Sequence, residues 1–277
     1  MGGLEIVWLL IALLAFQPVL RQRLLMAARQ RLIRRIERVR NSRVILLVHR
    51  QETMQILGFP LIRYIDVEDS EAIINAVNST DPDVPIDLVL HTPGGLVLAA
   101  YQIARVINRR RGKVTVFVPY YAMSGGTLIA LAADEIVMSE HALLGPTDPQ
   151  IGKYSAAALL RVRETKPIEH ISDETLLFAD QAEKAVKQLH AIVQEMLQDK
   201  MSPEATDQVA RLLTCGAWTH DYPITCEQAK KLGLNVTSDM PQEFYDLMKL
   251  FPQPLRRTPS VEYSHEPESP RTPRKRG

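Results

Sequence analysis

The chain has 277 residues, of which 46% are hydrophobic, so it is long enough for one large domain or two small ones. Its 33 Lys and Arg nearly balance its 32 Asp and Glu, and the net charge of +1 gives no reason to expect nucleic acid as a partner. The two cysteines, Cys215 and Cys226, are too few for a disulfide framework. No group of His, Cys, Asp and Glu has metal-ligand spacing and no phosphate loop occurs, so neither a metal nor another cofactor is expected.

An apolar stretch near the N-terminus, residues 4–20, is interrupted by Glu5 and Gln17. It is short for a membrane span, which needs roughly 17 to 25 residues. It lacks the preceding positive charge and the small-residue cleavage site of a signal peptide, so a retained single-pass anchor is expected. Because the arginines follow this stretch, the positive-inside rule predicts a protein of the cell inner membrane whose folded domain faces the cytoplasm.

Eight arginines and one acid, Glu37, occupy residues 21–40. Residues 21–43 predict a basic amphipathic helix that lies against anionic lipid head groups, which extends the contact with the membrane over residues 4–40. Its apolar side chains are Leu24, Leu25, Leu32, Ile33 and Ile36. The alternative is an ordinary solvated helix that leads into the domain.

From residue 44 onward, short apolar runs alternate with segments of helical spacing. Strands are predicted at residues 44–48, 61–67, 86–90, 114–118 and 136–138. Helices are predicted at residues 69–78, 96–108, 127–133 and 173–199, the last with Ser172 at its N-terminus. This alternation predicts an α/β domain with largely parallel strands over residues 44–250. Residues 251–277 lack apolar spacing and are expected to be disordered.

Two glycine turns each close a predicted strand and open a predicted helix, and one βαβ unit places two such turns side by side at a sheet edge. The first turn, Gly94-Gly95, offers backbone N–H groups at a helix N-terminus, where an oxyanion is favoured. The second holds Ser124 before Gly125 and Gly126, on a bend that would expose its hydroxyl group. Either turn alone is more often structural. Together they predict a serine nucleophile beside an oxyanion hole.

The two turns lie in the runs HTPGG at 91–95 and AMSGG at 122–126, and two further runs accompany them, AADEI at 132–136 and EQAKKLGL at 227–234. They resemble the Clp protease and signal peptide peptidase A superfamily, and the resemblance covers residues 44–240. Within that superfamily, GPTDPQ at 145–150 and THDYP at 219–223 are similar to the membrane-associated serine dehydrogenase proteinases, or SDH proteinases.

The resemblance implies a fold and a set of site residues. The fold is the Clp/crotonase type, an α/β fold of stacked βαβ units that commonly assembles into homo-oligomers. Ser124 corresponds to the nucleophile of the family. The oxyanion hole corresponds to the turn at Gly94 and Gly95 together with the amide of Gly125.

Two candidates exist for the general base that takes the proton from Ser124, since no His falls where Clp proteases have theirs. Lys166 lies close to the position of the lysine base in signal peptide peptidases. A lysine works as a base near neutral pH only where burial lowers its pKa, and the charged neighbours of Lys166 equally favour a solvated side chain.

The second candidate is His220 oriented by Asp148, in the order Ser, Asp, His that SDH proteinases are credited with. The two segments correspond to those that supply His and Asp in Clp proteases. A literal exchange would put the carboxylate nearer the serine than the ring, whereas a proton relay requires the reverse. The alternative is a structural histidine that caps the turn before Pro223.

These features predict a membrane-anchored serine peptidase that hydrolyses polypeptides through an acyl-enzyme on Ser124, without ATP of its own. Two other functions fit the same fold. A crotonase-like acyl-CoA enzyme would use the two glycine turns to polarise a thioester, and a catalytically idle membrane scaffold would need no base.

Overall fold

The computed structural model describes residues 3–49 and 63–251. They form an α/β domain around a parallel five-stranded sheet, whose strands lie in the order 43–48, 86–91, 114–118, 135–138 and 236–237. This confirms the predicted α/β class with parallel strands. The strands are β1 Arg43–Val48, β2 Ile86–His91, β3 Val114–Val118, β4 Tyr121–Ala122, β5 Glu135–Met138, β6 Leu143–Leu144, β7 Gln150–Ile151, β8 Tyr154–Ser155 and β9 Val236–Thr237. The α-helices are α1 Gly3–Arg40, α2 Val67–Asn78, α3 Val97–Asn108, α4 Gly125–Leu131, α5 Ala156–Thr165, α6 Asp173–Leu197, α7 Pro203–Thr214, α8 Cys226–Lys231 and α9 Gln242–Lys249.

Helices cover both faces of the sheet, and for this reason most positions of its central strands are apolar. Every residue of β2 and β3 is buried. On one face, Leu88 and Val116 belong to a core cluster with side chains of α2, α3, α4, α6 and α7. On the other face, Val89 and Phe117 pack against α1 and α9, and the rings of Phe117 and Phe244 stack at 4.0 Å.

The C-terminal part of α1 belongs to this domain. Ile36 is 2% exposed and lies in the second core cluster, with Leu32 and Ile33 packed against it. Arg40 Nε donates to the buried Asp87 carboxylate on β2 at 2.5 Å. The prediction that these three apolar side chains face lipid head groups is therefore wrong, because they cover the sheet. The domain begins within α1, earlier than predicted.

Residues 4–20 lie within α1, which is one continuous helix. Among the helices that the structure describes, none combines the length and the apolar content that crossing a membrane requires. Further along α1, the side chains of Leu20 and Leu24 are 60% and 63% exposed, so this part of the helix does not pack on the domain.

The strand predicted at residues 61–67 is wrong in its described part, and residues 61 and 62 lie outside the described residues. Ile65 forms a single parallel bridge to Gly95, and α2 begins two residues later. The extended segment ends there because Asp66 caps α2. The Asp66 side chain accepts the Asp69 N–H at 3.0 Å, and Asp69 accepts the Asp66 N–H at 3.1 Å.

Two strand ends bring the predicted site residues to the carboxyl edge of the sheet. Strand β2 leads into residues 92–96, the glycine turn. Strands β3 and β4 lead into residues 122–126, the serine turn, and a parallel bridge between Thr92 and Ala122 joins the two turns. At the other end of the chain, the tail predicted to be disordered lies outside the described residues except for Phe251. The centroid of the Phe251 ring lies 4.0 Å from the Arg29 guanidinium carbon.

Candidate active site

Ser124 is the N-cap residue of α4, at the tight bend after β4. Its backbone has φ +50° and ψ −114°, and in the described chain only Asn41 shares a positive φ among non-glycine residues. Such a conformation costs on the order of 1–3 kcal/mol and persists only where the surrounding structure enforces it. A strained serine at a strand-to-helix turn is the arrangement that presents a nucleophilic hydroxyl group.

The glycine turn contacts the serine turn directly. A Cβ atom on Gly94 would lie 2.8 Å from Ser124 Cβ and 2.9 Å from the Met123 carbonyl oxygen. A Cβ atom on Gly95 would lie 2.3 Å from the backbone nitrogen and oxygen of Ile65. Only glycine fits at either position, and Gly94 also has φ +107°. The two turns therefore lie side by side.

The backbone N–H groups of the two turns differ in whether they have acceptors. Gly94 N–H donates to Thr92 Oγ1 at 3.1 Å, so the prediction that Gly94 offers its amide to an oxyanion is wrong. Among the described residues, Gly95 N–H and Gly125 N–H have no protein acceptor. Gly95 N lies 3.5 Å from the point that a Cβ atom on Gly125 would occupy. Gly95 and Gly125 thus present two neighbouring donors, which is the arrangement of an oxyanion hole.

His220 and Asp148 form a hydrogen-bonded pair, with Nδ1 and Oδ1 2.8 Å apart. Because a carboxylate only accepts hydrogen bonds, Nδ1 carries the hydrogen and Nε2 is left as the basic nitrogen. The Asp148 side chain is 3% exposed and the His220 side chain 38%, so the ring is the outer member of the pair. The hydrogen bond to Asp148 raises the pKa of His220, against the opposing effect of desolvation.

The segments that carry this pair run beside the serine turn. Strand β6 pairs in parallel with β4 and forms an antiparallel bridge with the chain just after the His220 loop. Directly after β6, a Cβ atom on Gly145 would lie 2.5 Å from Met123 Cε, and Gly145 N–H donates to Thr127 Oγ1 at 3.1 Å. Asp148 therefore follows a segment that contacts the residue before Ser124.

The two candidate bases have different surroundings. Lys166 is exposed at the C-cap of α5, where its backbone N–H bonds Val162 O, and it lacks the burial that a lysine base needs. His220 does not cap its own turn, because its ring bonds Asp148 while the turn is closed by Tyr222 N–H donating to Thr219 O. Among the described residues no hydrogen bond joins the His220 ring to Ser124. Such bonds commonly tighten only when substrate binds.

Two contacts near the pair escaped the sequence prediction, and one of them touches the pair directly. Gln150 Nε2 donates to Asp148 Oδ2 at 2.8 Å and so occupies the second carboxylate oxygen. The rings of Trp218 and Tyr222 stack at 4.9 Å on either side of His220 in the sequence. The position of Gln150 in the run 145–150 is the one sequence signal for its role. Among the described residues, no group of three or more His, Cys, Asp and Glu is arranged to hold a metal ion.

Comparisons with known proteins bear on this site. The model of the ClpP-like SDH-type serine proteinase family matches residues 3–276. Two uncharacterized proteins of Methanocaldococcus jannaschii, MJ1495 and MJ0137, are 48% and 47% identical to the chain. The first alignment covers 95% of this chain and 89% of MJ1495, and the second covers 94% of this chain and 91% of MJ0137.

Two solved structures of variants of the 1510-N membrane-bound stomatin-specific protease are more distant. The first shares 21% identity over 68% of this chain and 79% of that chain, with a TM-score of 0.45. The second, a complex with a substrate peptide, shares 22% identity over 66% of this chain and 74% of that chain, also with a TM-score of 0.45. The match over nearly the whole length shows that the chain belongs to the ClpP-like SDH-type serine proteinase family and is a serine peptidase.

Proposed function

We propose that this serine peptidase cleaves polypeptides through an acyl-enzyme on Ser124, with His220 as the general base and Asp148 as the carboxylate that orients it. The observation that carries the proposal is the strained Ser124 backbone, held against the glycine turn beside two N–H groups that have no acceptor in the described part of the chain. A strained serine needs a reason, and a nucleophile next to oxyanion donors supplies one.

In the first half-reaction, Ser124 Oγ attacks the scissile carbonyl carbon while His220 Nε2 takes the hydroxyl proton. The carbonyl oxygen becomes an oxyanion that accepts hydrogen bonds from Gly95 N–H and Gly125 N–H. The C–N bond then breaks, and the His220 imidazolium returns its proton to the leaving amine. In the second half-reaction, water repeats these steps on the acyl-enzyme and releases the acid and the free serine.

The choice of His220 over Lys166 rests on their surroundings. A general base must present a free lone pair at the working pH. An imidazole whose Nδ1–H is bound by a buried carboxylate presents such a lone pair on Nε2. Lys166 is exposed and lacks the burial that a lysine base needs.

Labelling with a fluorophosphonate probe tests the assignments. We expect the wild-type protein to be labelled and Ser124→Ala to remain unlabelled, because the probe phosphonylates an activated serine. His220→Ala should label far more slowly, whereas Lys166→Ala should label at the wild-type rate. If Ser124→Ala were labelled as strongly as wild type, Ser124 would not be the nucleophile. If Lys166→Ala were the slow variant, the base would be the lysine.

Attachment to the inner membrane with the domain in the cytoplasm, independence from ATP and assembly into homo-oligomers are further parts of the proposal. The exposed Leu20 and Leu24 on a basic stretch of α1 support contact with an anionic membrane surface. Fractionation of cells that express the full chain or a chain without residues 1–20 tests attachment, and loss of membrane association in the shorter chain is expected. Sedimentation in detergent tests assembly, and casein cleavage without nucleotide tests the ATP requirement.

A further inference from the structure

A buried chain of hydrogen bonds lies behind the glycine turn, outside the residues assigned to the reaction. Gly94 N–H donates to Thr92 Oγ1 at 3.1 Å, and Thr92 Oγ1 lies 2.9 Å from His49 Nδ1. On the other side of the ring, His49 Nε2 lies 3.1 Å from Asp69 Oδ2. Thr92 is fully buried and His49 is 5% exposed. The chain therefore runs from the surface, at the start of α2, to the backbone of the glycine turn.

The direction of each bond follows from what each group can donate. The Asp69 carboxylate only accepts, so His49 Nε2 carries the ring hydrogen and Nδ1 accepts the hydroxyl hydrogen of Thr92. The Thr92 oxygen is then free to accept the Gly94 N–H. Burial lowers the pKa of His49, against the opposing effect of Asp69, so the ring is neutral at neutral pH. A neutral ring is what this proton arrangement requires.

The network also reaches the carbonyl side of Gly94. Asp69 Oδ2 accepts the Asp66 N–H at 3.1 Å, and the preceding residue, Ile65, donates its own N–H to Gly94 O at 2.7 Å. The N–H and the C=O of Gly94 are thus held by opposite ends of one network. Because a trans peptide unit is planar, with its C=O and N–H pointing in opposite directions, fixing Gly94 O on Ile65 turns Gly95 N–H away from Ile65.

From this geometry we infer that His49, acting through Thr92 and anchored by Asp69, is a positioning residue for the oxyanion donor Gly95 N–H. The inference rests on the proposed function, since it concerns the same oxyanion hole. His49 touches neither the substrate nor the reacting atoms. Its effect is to keep the peptide between Gly94 and Gly95 in one orientation before the substrate arrives, as preorganised stabilisation requires.

The network should affect the chemical step more than substrate binding. Without an acceptor on Thr92, Gly94 N–H would be a buried, unsatisfied donor, and the turn would rotate to find another partner. Misplacement of a single oxyanion donor weakens the interaction that forms only in the transition state. The maximal rate therefore falls, while the affinity for the ground-state ligand stays nearly constant.

The test is the rate at which a fluorophosphonate probe inactivates the full-length protein, separated into the maximal rate kinact and the half-saturating concentration KI. Thr92→Val keeps the shape of the side chain and removes its hydroxyl. We expect its kinact to fall about ten- to a hundredfold, less than for loss of a whole donor, with KI within about threefold of wild type. Thr92→Ser restores the hydroxyl and should restore kinact to within about threefold. The matched control is Thr206→Val, another buried threonine, whose hydroxyl has no partner among the described residues.

Three results would overturn the inference: a wild-type kinact for Thr92→Val, a change confined to KI, or a Thr92→Ser variant as slow as Thr92→Val. If Thr92→Val does not fold, Asp69→Ala tests the surface end of the network, with an expected fall in kinact of about three- to tenfold. An unchanged kinact in folded Asp69→Ala would also overturn it. Failure of the proposed function gives a different result, since Ser124→Ala would then be labelled like wild type.

Discussion

The candidate site consists of two halves that are built in different ways. The serine and glycine turns are main-chain structures on the sheet edge, so closely packed that a single Cβ atom on Gly94 or Gly95 would collide with a neighbour. The His220–Asp148 pair is a side-chain contact between two loops that follow the sheet, and its ring is 38% exposed. The first half is thus fixed by backbone shape and the second by one hydrogen bond. Substitutions should damage the fold in the first half and only the reaction in the second.

The largest expected effect is a loss of activity without a loss of stability, when His220 of the second half is substituted. In His220→Gln the side-chain amide retains a donor for Asp148 but offers no basic nitrogen. We expect kcat for casein cleavage to fall roughly 10⁴- to 10⁶-fold, the range of losses found when one member of a catalytic triad is removed. The melting temperature should change little because the ring is half-exposed. Lys166→Met is the matched control, and a comparable loss of kcat in that variant would contradict the assignment of the base.

In the first half, Gly94→Ala should act on folding and reaction together. Its Cβ atom would lie 2.8 Å from Ser124 Cβ, and the backbone has φ +107°, which a side chain strains. We expect a loss of more than about 2 kcal/mol in the free energy of unfolding in urea, with labelling of Ser124 abolished. Gly152→Ala is the control, since it also has a positive φ, +60°, but nothing lies within 4 Å of its Cβ position. A loss of labelling in Gly94→Ala without any loss of stability would contradict this prediction.

The pH dependence of the reaction should report on the His220–Asp148 pair. Because Asp148 raises the pKa of His220 above its ordinary value of 6.5, the free base forms only as the pH rises through this higher pKa. The rate of acylation should therefore rise with pH across that window. The stabilisation that the charged pair gives to the fold is present below pH 6.5 and is lost over the same rise. Asp148→Asn should move the midpoint of the rate profile downward, and an unmoved midpoint would show that another group titrates.

The two halves also differ in how far the sequence alone predicts them. The strands β2 and β3 are buried on both faces and mostly apolar, and the glycine turn and the serine turn follow them within a few residues. Local spacing is enough to place such groups at one sheet edge. By contrast, 72 residues separate Asp148 from His220, so the sequence alone left His220 and Lys166 as equal candidates.

Other errors of the sequence prediction have the same cause. The Arg40–Asp87 bond joins positions 47 residues apart, and the burial of Ile36 depends on the distant α9. Local spacing shows neither contact, so the sequence of residues 21–43 predicts a helix on the membrane surface. The link between His49 and Thr92 spans 43 residues and carries no sequence signal. The sequence predicts the wrong role for the Gly94 amide, because only the folded turn shows that this N–H donates to Thr92 Oγ1.

The smallest expected effect concerns Gln150. It tests how much the His220–Asp148 hydrogen bond of the second half depends on a neighbouring hydrogen bond to Asp148. Gln150 Nε2 binds the Asp148 oxygen that His220 leaves unoccupied, at 2.8 Å, and so limits rotation of the carboxylate. Removing one hydrogen bond to a charged group costs about 1–3 kcal/mol where the group is buried, but the carboxylate of Asp148 would keep His220 as a partner. We therefore expect Gln150→Ala to lower kcat about two- to tenfold at neutral pH and to change KM little. Gln198→Ala, at an exposed position after α6, is the control. A fall in kcat as large as that of His220→Gln would show that Gln150 holds the pair together, and the second half would then depend on two bonds instead of one.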